Sequence, residues 1–389
     1  MKNYCDMEKV KNLLFDLSSI QEKPSCAISI HLYAGRLLQG INTYSVFHPI
    51  ALVKRGVEEY IDSLAGFKVD KIIIRGNEKV TFSSKLDRFL GIVPFKKELQ
   101  DNNICAVLNC EFNQYIYFYT KKYHQHLVIH DLYPISRSHV KEFLYSSLMF
   151  WWANKRIPHV ISISQGTRDG IKKWCGKNST VIYNSIPFDF NVDEVPVSEV
   201  RGKSYILDVN RFDRHKNAET LIRALFLLKD KMHHSLYLKG YDNKGGVVVN
   251  ELKALVSRLE LEDRVIIDTS FRSEGEMRYL YTHADLFVTP SLEEGFGYTP
   301  IEAAVLKTPV LISNIAVLKE VTQGKIESFN PHSPEELAEK ISGIISNPPS
   351  DEERTALSEF YLKEYSLEKQ IERFTEVILH NIGIRIKNQ

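Results

Sequence analysis

Short apolar runs alternate with helix-patterned segments along this chain, and the alternation runs through twice. In the first half the candidate strands are Cys26–Leu32, Lys71–Arg75, Ile104–Leu108, His126–His130, His159–Ile163 and Thr180–Tyr183. In the second half they are Tyr205–Val209, Leu236–Lys239, Arg264–Ile267, Leu286–Thr289 and Val310–Ile312. Strands separated by helices pair in parallel, because a parallel neighbour is reached only through a crossover, and such sheets are covered on both faces. A polar stretch from about 188 to 203, holding Pro196 and several acids, separates the halves and reads as a linker. At 389 residues each half can bury its own core. The pattern predicts an α/β chain with two doubly wound domains.

The densest chemistry lies in Glu294-Gly-Phe-Gly-Tyr-Thr-Pro-Ile-Glu302. Two carboxylates flank a glycine turn that follows the strand run ending in Thr289-Pro-Ser291 and precedes a helix-forming run, 299–307. Backbone N–H groups at a helix start face the positive end of its dipole and suit a phosphate or a polar sugar. The carboxylates accept from hydroxyls, not from phosphates. Hydroxyls and phosphate together describe a nucleotide-sugar. Gly295 and Gly297, lacking Cβ, allow positive φ and close approach of a ligand.

Upstream, the strand run Ser204–Asn210 leads into Arg211-Phe-Asp-Arg-His-Lys216, and a helix starts near Asn217 with Leu221, Ile222, Leu225 and Leu228 on one face. Arg211 and Lys216 thus project from a strand–helix loop, where parallel sheets bind ligands. Each cation is worth roughly 4 kcal/mol to a charge about 4 Å away at an effective dielectric near 20, before desolvation.

These segments resemble the family 4 retaining glycosyltransferases, which have the GT-B fold: two Rossmann-like doubly wound domains facing each other across a cleft. Further landmarks are Ile161-Ser-Ile-Ser164, Val181-Ile-Tyr-Asn-Ser-Ile-Pro187, Leu221-Ile-Arg-Ala-Leu225 and Thr308-Pro-Val-Leu-Ile-Ser-Asn314, in the family's order from about residue 127 to 345. The first 120 residues match only loosely. The implied division is an acceptor-binding domain over 1–190, a linker over 191–203, a nucleotide-sugar domain over 204–364 and a final segment, 365–389. The resemblance implies that this segment's helix crosses back to the first domain; an ordinary terminal helix on its own domain fits the sequence equally well.

Residue by residue, the resemblance implies that Glu294 and the N–H groups of Phe296 and Gly297 hold the donor sugar, and that Glu302 accepts from the ribose hydroxyls. Gly295 belongs to the same donor-binding turn, and Tyr298 and Thr299 lie against the diphosphate through backbone N–H groups. Arg211 and Lys216 stabilise the leaving diphosphate. Asn210 stands where the family often has glycine. His130 sits by the donor sugar, with Asp131 orienting it. Gly40 lets the first helix start close to the diphosphate, and the loop around Phe271 and Arg272 reads the base through main-chain groups, with Ser270 replacing the usual glycine. As bland alternatives, Gly40 is a plain turn glycine, His130 a structural histidine, and Arg211 and Lys216 part of a solvated basic loop.

The function so implied is metal-independent, retaining transfer of a hexose-type sugar, with mannose as the candidate, from a GDP- or UDP-linked donor. The acceptor is a saccharide or a lipid-linked saccharide, and the setting cell-surface polysaccharide synthesis. No cofactor is expected beyond the donor as substrate. A nucleotide-sugar epimerase of the same fold, or an inactive nucleotide-sugar-binding protein, stays open beside it.

Other features exclude more than they assign. Net charge is +1, so no whole-molecule field argues for nucleic acid. The chain has no Asp-x-Asp pair of the kind that holds a metal-bound diphosphate, and His124, His126 and His139 lack a ligand pattern. Gly35 and Gly40 have P-loop spacing, but Ile41-Asn42 replaces the required Lys-Ser/Thr. No run of about 18 apolar residues appears. Five cysteines without clustering fit reduced thiols in a cytoplasmic protein. The run Phe143–Trp152 followed by Lys155-Arg156 reads as a core helix, with peripheral contact at the inner membrane face left open. Acceptor choice is expected in variable loops such as 76–97.

Overall fold

The computed structural model describes residues 11–18, 20, 28–74, 102–110, 124–131, 157–186, 192–242 and 245–384. The candidate interfacial run 143–156, the acceptor-loop segment 76–97, His139, Cys5 and Cys26 lie outside the described residues. The chain forms two compact units: Met1–Pro187 with Leu367–Gln389, and Phe188–Ser366.

The described residues of the first unit form seven parallel strands: β1 (Lys11–Asp16), β2 (Phe47–Lys54), β3 (Asp70–Ile74), β4 (Ile104–Asn109), β5 (His124–Ile129), β6 (His159–Ser162) and β7 (Thr180–Val181). Their order is β3-β2-β1-β4-β5-β6-β7. Helices α1 (Ile28–Tyr44), α2 (Glu58–Ala65) and α3 (Gln165–Cys175) accompany them.

Here the structure corrects the expected first strand. In the expected strand Cys26–Leu32, the described residues 28–32 belong to α1. Ala34, Leu37, Leu38 and Ile41, all buried, continue the apolar run at helical spacing, and that longer period decides the outcome. The strands that fill the sheet instead are β1 and β2, with Leu14 of β1 opposite Ile50 and Val107.

Gly40 is corrected with it. It lies in the fourth turn of α1, not at a helix start. A Cβ there would come within 2.5 Å of Ile371, on the helix Leu367–Asn381. Gly35, likewise, lets α1 approach the Leu64 carbonyl of α2. Both glycines serve helix packing in the first unit.

The second unit carries β8 (Tyr205–Val209), β9 (Ser235–Lys239), β10 (Val265–Asp268), β11 (Leu286–Thr289), β12 (Val310–Ser313) and β13 (Glu327–Phe329). They are parallel, in the order β10-β9-β8-β11-β12-β13. Among them run α4 (Ala218–Leu227), α5 (Val247–Arg258), α6 (Glu274–Thr282), α7 (Tyr298–Val305), α8 (Ala316–Val321), α9 (Pro334–Ser346) and α10 (Asp351–Glu364). The last helix, α11 (Leu367–Asn381), returns to the first unit, where it packs on α1. Both sheet faces are covered. Ile206 and Leu238 pack with Leu221 and Leu225 in one core cluster, and Leu207 and Phe287 with Tyr281 in another. Each such fully buried side chain contributes roughly 1.5–3 kcal/mol.

The strand order turns at β8, whose neighbours are β9 on one side and β11 on the other. An open parallel sheet has its ligand crevice beyond the carboxyl ends of the strands at such a point. Among the described residues no helix is long and apolar enough to cross a membrane.

Candidate active site

The loops after β8 and β11 meet at that point. After β8, Arg214–Lys216 forms a single 3-10 turn, and Asn217 then adopts a left-handed conformation, φ +59°, before α4 begins. Asparagine tolerates this region better than most residues. Its side-chain amide donates to the carbonyls of Pro290 (3.0 Å) and Pro331 (2.8 Å). The Leu292 N–H donates to the His215 carbonyl at 2.8 Å. These bonds fasten the basic loop to the acidic one.

The result is a close ion pair. Lys216 Nζ lies 2.5 Å from Glu294 Oε1, with both side chains about nine-tenths buried. Ser291 Oγ donates to the same oxygen at 2.8 Å, and the Ser291 carbonyl accepts from Ser313 Oγ. Arg211 lies on the same loop, its Nε 3.6 Å from the buried carboxylate of Asp213. The acid–base constellation expected from the sequence is therefore brought together within one unit.

The glycine turn behaves differently from expectation at one position. Gly297 has φ +89° and caps α7, and a Cβ there would lie 2.5 Å from Leu318 Cδ2. Gly295 does not take a positive φ, so the left-handed step rests on Gly297. Phe296 is buried, its ring edge-on to Tyr365 at 5.7 Å and tilted against Tyr298 at 5.0 Å. It anchors the turn in the core. Because α7 begins at Tyr298, followed by Thr299, the positive end of its dipole lies at the turn. Glu302, one turn into α7, accepts a 2.8 Å hydrogen bond from Tyr281 OH.

Phe271 and Arg272 sit on the next loop but one, after β10. Phe271 is 93% exposed, so its ring has almost no protein packing. Arg272 is the reverse. Its guanidinium contacts Asp268 (2.8 Å), Glu276 (3.0 Å) and Glu199 (2.5 Å). Burial opposes its charge, but these carboxylates outweigh burial and raise its pKa. Asp268 is held low in turn: burial works against its charge, and hydrogen bonds from Ser270, Tyr237 and Arg272 prevail. The Arg272 side chain is thus committed to a frame that fixes the loop.

His130 and Asp131 belong to the first unit, at the end of β5. His130 Nε2 donates to the Cys110 carbonyl at 3.0 Å, which leaves Nδ1 as the acceptor. The Tyr33 ring of α1 meets it edge-on at 4.5 Å. Burial lowers the His130 pKa, against the pull of the Cys110 carbonyl and the Asp131 charge. Asp131 is exposed.

Three residues of this site were not singled out by sequence reasoning. Asp208, an acid inside the otherwise apolar strand β8, is buried and accepts from Asn210 Nδ2 at 2.6 Å. Gly240 is required by close approach: a Cβ there would sit 1.9 Å from the Asn210 carbonyl oxygen. Asn217 is the third. A lone acid in a strand and an asparagine before a helix are visible signals, whereas the approach at Gly240 depends on two loops meeting. A cavity of about 440 Å³, lined by Asp208, Arg211, Asp213, Lys216, Asn217 and α5 residues, opens beside them. Among the described residues no three histidine, cysteine or acidic side chains gather as a cation site.

Residues 192–361 match the model of glycosyl transferases group 1. The O-antigen chain mannosyltransferase RfbU of Salmonella typhimurium is 29% identical over 232 residues, covering 58% of this chain and 62% of that protein. The serotype-specific mannosyltransferase WbdA of Escherichia coli is 25% identical over 238 residues, covering 57% of this chain and 29% of that one. The chain thus spans less than two thirds of the length of these curated relatives. Anabaena HepE, solved in complex with UDP and glucose, superimposes with a TM-score of 0.70 at 16% identity, over 95% of this chain and all of that one. The fold is GT-B, and the chain is related to glycosyltransferases of that fold.

Proposed function

We propose that this protein is a metal-independent, retaining glycosyltransferase of the family 4 type, which moves a hexose, mannose for preference, from a nucleoside diphosphate to a saccharide or lipid-linked acceptor. The observation that carries the reading is the meeting of Lys216 and Glu294 at the switch point, with Arg211 on the same loop. Mannose is favoured by the similarity to two mannosyltransferases, and a diphosphate donor by the neighbour that holds UDP.

In this reading the diphosphate settles against Arg211, Lys216 and the start of α7, and draws Lys216 from Glu294. Glu294 then accepts from sugar hydroxyls, and Glu302 from the ribose. The bond from the anomeric carbon to the diphosphate breaks with its electron pair on the departing oxygen. Fixed cations stabilise charge where it develops, without reorganisation. The acceptor oxygen bonds to the same carbon on the same face, and its proton passes to a phosphate oxygen. Neither carboxylate serves as a covalent nucleophile, and the two cations do the work a metal would otherwise do.

A thermal-shift screen of nucleotide-sugars and nucleoside diphosphates tests this reading. A ligand that binds only the folded state raises its stability by about 2.7 kcal/mol at one hundred times Kd. Stabilisation by one base series, lost in Lys216→Ala, is the expected result. No response to any member would refute the donor site. Consumption of the donor with no acceptor, giving an epimer, would identify the epimerase instead.

A further inference from the structure

The cavity lined by Lys216 is also lined by an ionisable group that the reaction does not use. Asp208 is 3% exposed, accepts from Asn210 Nδ2 at 2.6 Å, and borders the cavity that Arg211 and Lys216 also line. It interacts electrostatically with both members of the pair. Each cation of the site already faces an acid, Lys216 facing Glu294 and Arg211 facing Asp213. An ionised Asp208 would therefore make the cluster net negative before any diphosphate arrived.

We propose that Asp208 is a proton-linked positioning residue, which takes up one proton when a nucleotide-sugar seats its diphosphate against Arg211 and Lys216. The inference rests on the donor reading above and deepens it. Protonated, Asp208 keeps both cations available to the anion. Ionised, it competes with the diphosphate for Lys216 across a poorly screened interior. Its titratable and charged neighbours come from several elements. Lys216 comes from the 3-10 turn, Glu294 from the loop after β11, and Tyr281 from α6 with Glu302 of α7 behind it. Arg211, Asp213, Arg214, Glu219, Glu251 and Arg258 line the same cavity. Burial pushes the Asp208 carboxyl up to about 7, with Glu294 adding to the rise and Asn210 and Lys216 opposing it. The free protein therefore holds this proton only in part at neutrality, and a bound anion strengthens the hold. Affinity then falls as pH rises, by about fivefold between pH 7 and pH 8, because each added unit of proton uptake gives a tenfold change per pH unit.

Isothermal titration of UDP-glucose and GDP-mannose into the full chain tests this, repeated in buffers of different ionisation enthalpy between pH 6 and 8.5. The diester diphosphate of these probes does not titrate near neutrality. The expected result is uptake near zero at pH 6, rising toward one proton by pH 8, and no uptake with a flat affinity profile in Asp208→Asn. Absence of uptake in the native protein, or equal uptake in Asp208→Asn, overturns the proposal. Absence of binding heat for both probes overturns the donor reading on which it stands, a different and separable failure. Should Asp208→Asn not fold, carboxyl carbon NMR of the native protein decides. An aspartate titrating near neutrality and shifting with the bound probe supports the assignment; aspartates that all ionise below pH 5 overturn it.

Discussion

Lys216 and Glu294 are the pair on which function turns at the residue scale. Replacing Lys216 by alanine should lower donor turnover by at least about 100-fold, the usual cost of removing one preorganised charge stabiliser, while circular dichroism stays native. Two glycines make a sharper structural prediction. Gly297→Ala strains a φ of +89° and presses on a movable Leu318 methyl, whereas Gly240→Ala drives a methyl into the Asn210 carbonyl. Urea unfolding should show a loss of roughly 1–3 kcal/mol for the first and more for the second. Equal losses would mean that the loops after β8 and β9 yield easily. Glu294 and Glu302 stand out in the sequence because they flank a glycine turn, whereas Arg211 and Lys216 read alone as a solvated basic loop and gain meaning only beside that motif. Asp208 and Gly240 are not legible there, because burial and loop-to-loop approach are not properties of a local window. The role of Gly40 in packing is hidden for the same reason, since its partner Ile371 lies far along the chain.

At the scale of the element, period decided what could be read. Strands β8 and β11 stand at the positions expected for them, as compact apolar runs bounded by polar turns. Strand β13, three residues long, is too short to carry a pattern. The expected first strand at 26–32 differs from the observed β1 because a short apolar run does not distinguish strand from helix. The frame around Arg272 belongs to this scale. Arg272→Ala leaves Asp268 buried without its main cation and should cost about 3 kcal/mol, as in other broken buried pairs. Hydrogen exchange in the loop after β10 should rise with it.

Strands β5 and β6 give a pH prediction. His126 is buried, stacked on His159 at 4.9 Å, and its Nε2 accepts from Asn381 of α11 at 3.0 Å. Burial, reinforced by the charge of His159, lowers its pKa to about 3, and burial lowers that of His159 too. A depressed histidine pKa means that the folded state binds fewer protons than the unfolded one. Stability is therefore full above about pH 6.5 and falls on acidification toward 3, by about 1.4 kcal/mol per pH unit for one site. Urea midpoints should drop between pH 6.5 and 5, and less steeply in His126→Gln. An unchanged slope would place the proton elsewhere.

For the whole molecule, the chain's path is the main feature. It leaves the first unit after Pro187 and returns to it at Leu367. Ile371, Phe374, Ile378 and Leu379 of α11 are buried, and Ser45 of the first unit bonds Thr375 at 2.8 Å. Four such side chains bury roughly 6–12 kcal/mol, comparable with the total stability of a domain. Truncation after Ser366 should therefore abolish exchange protection in α1 and β2 and preserve it in β8 to β12. Protection kept in α1 would contradict this. The doubly wound class was legible because alternation repeats over many elements, whereas the return of α11 is implied by the family resemblance alone, its packing partner lying more than 300 residues away.

The central claim is that Arg211 and Lys216 grip a donor diphosphate while Glu294 takes the sugar. A crystal structure of the protein soaked with GDP-mannose or UDP-glucose tests it most directly. The account predicts diphosphate oxygens within hydrogen-bond reach of both cations and a sugar hydroxyl on the Glu294 carboxylate. A diphosphate bound elsewhere, with the Lys216–Glu294 pair untouched, would contradict it.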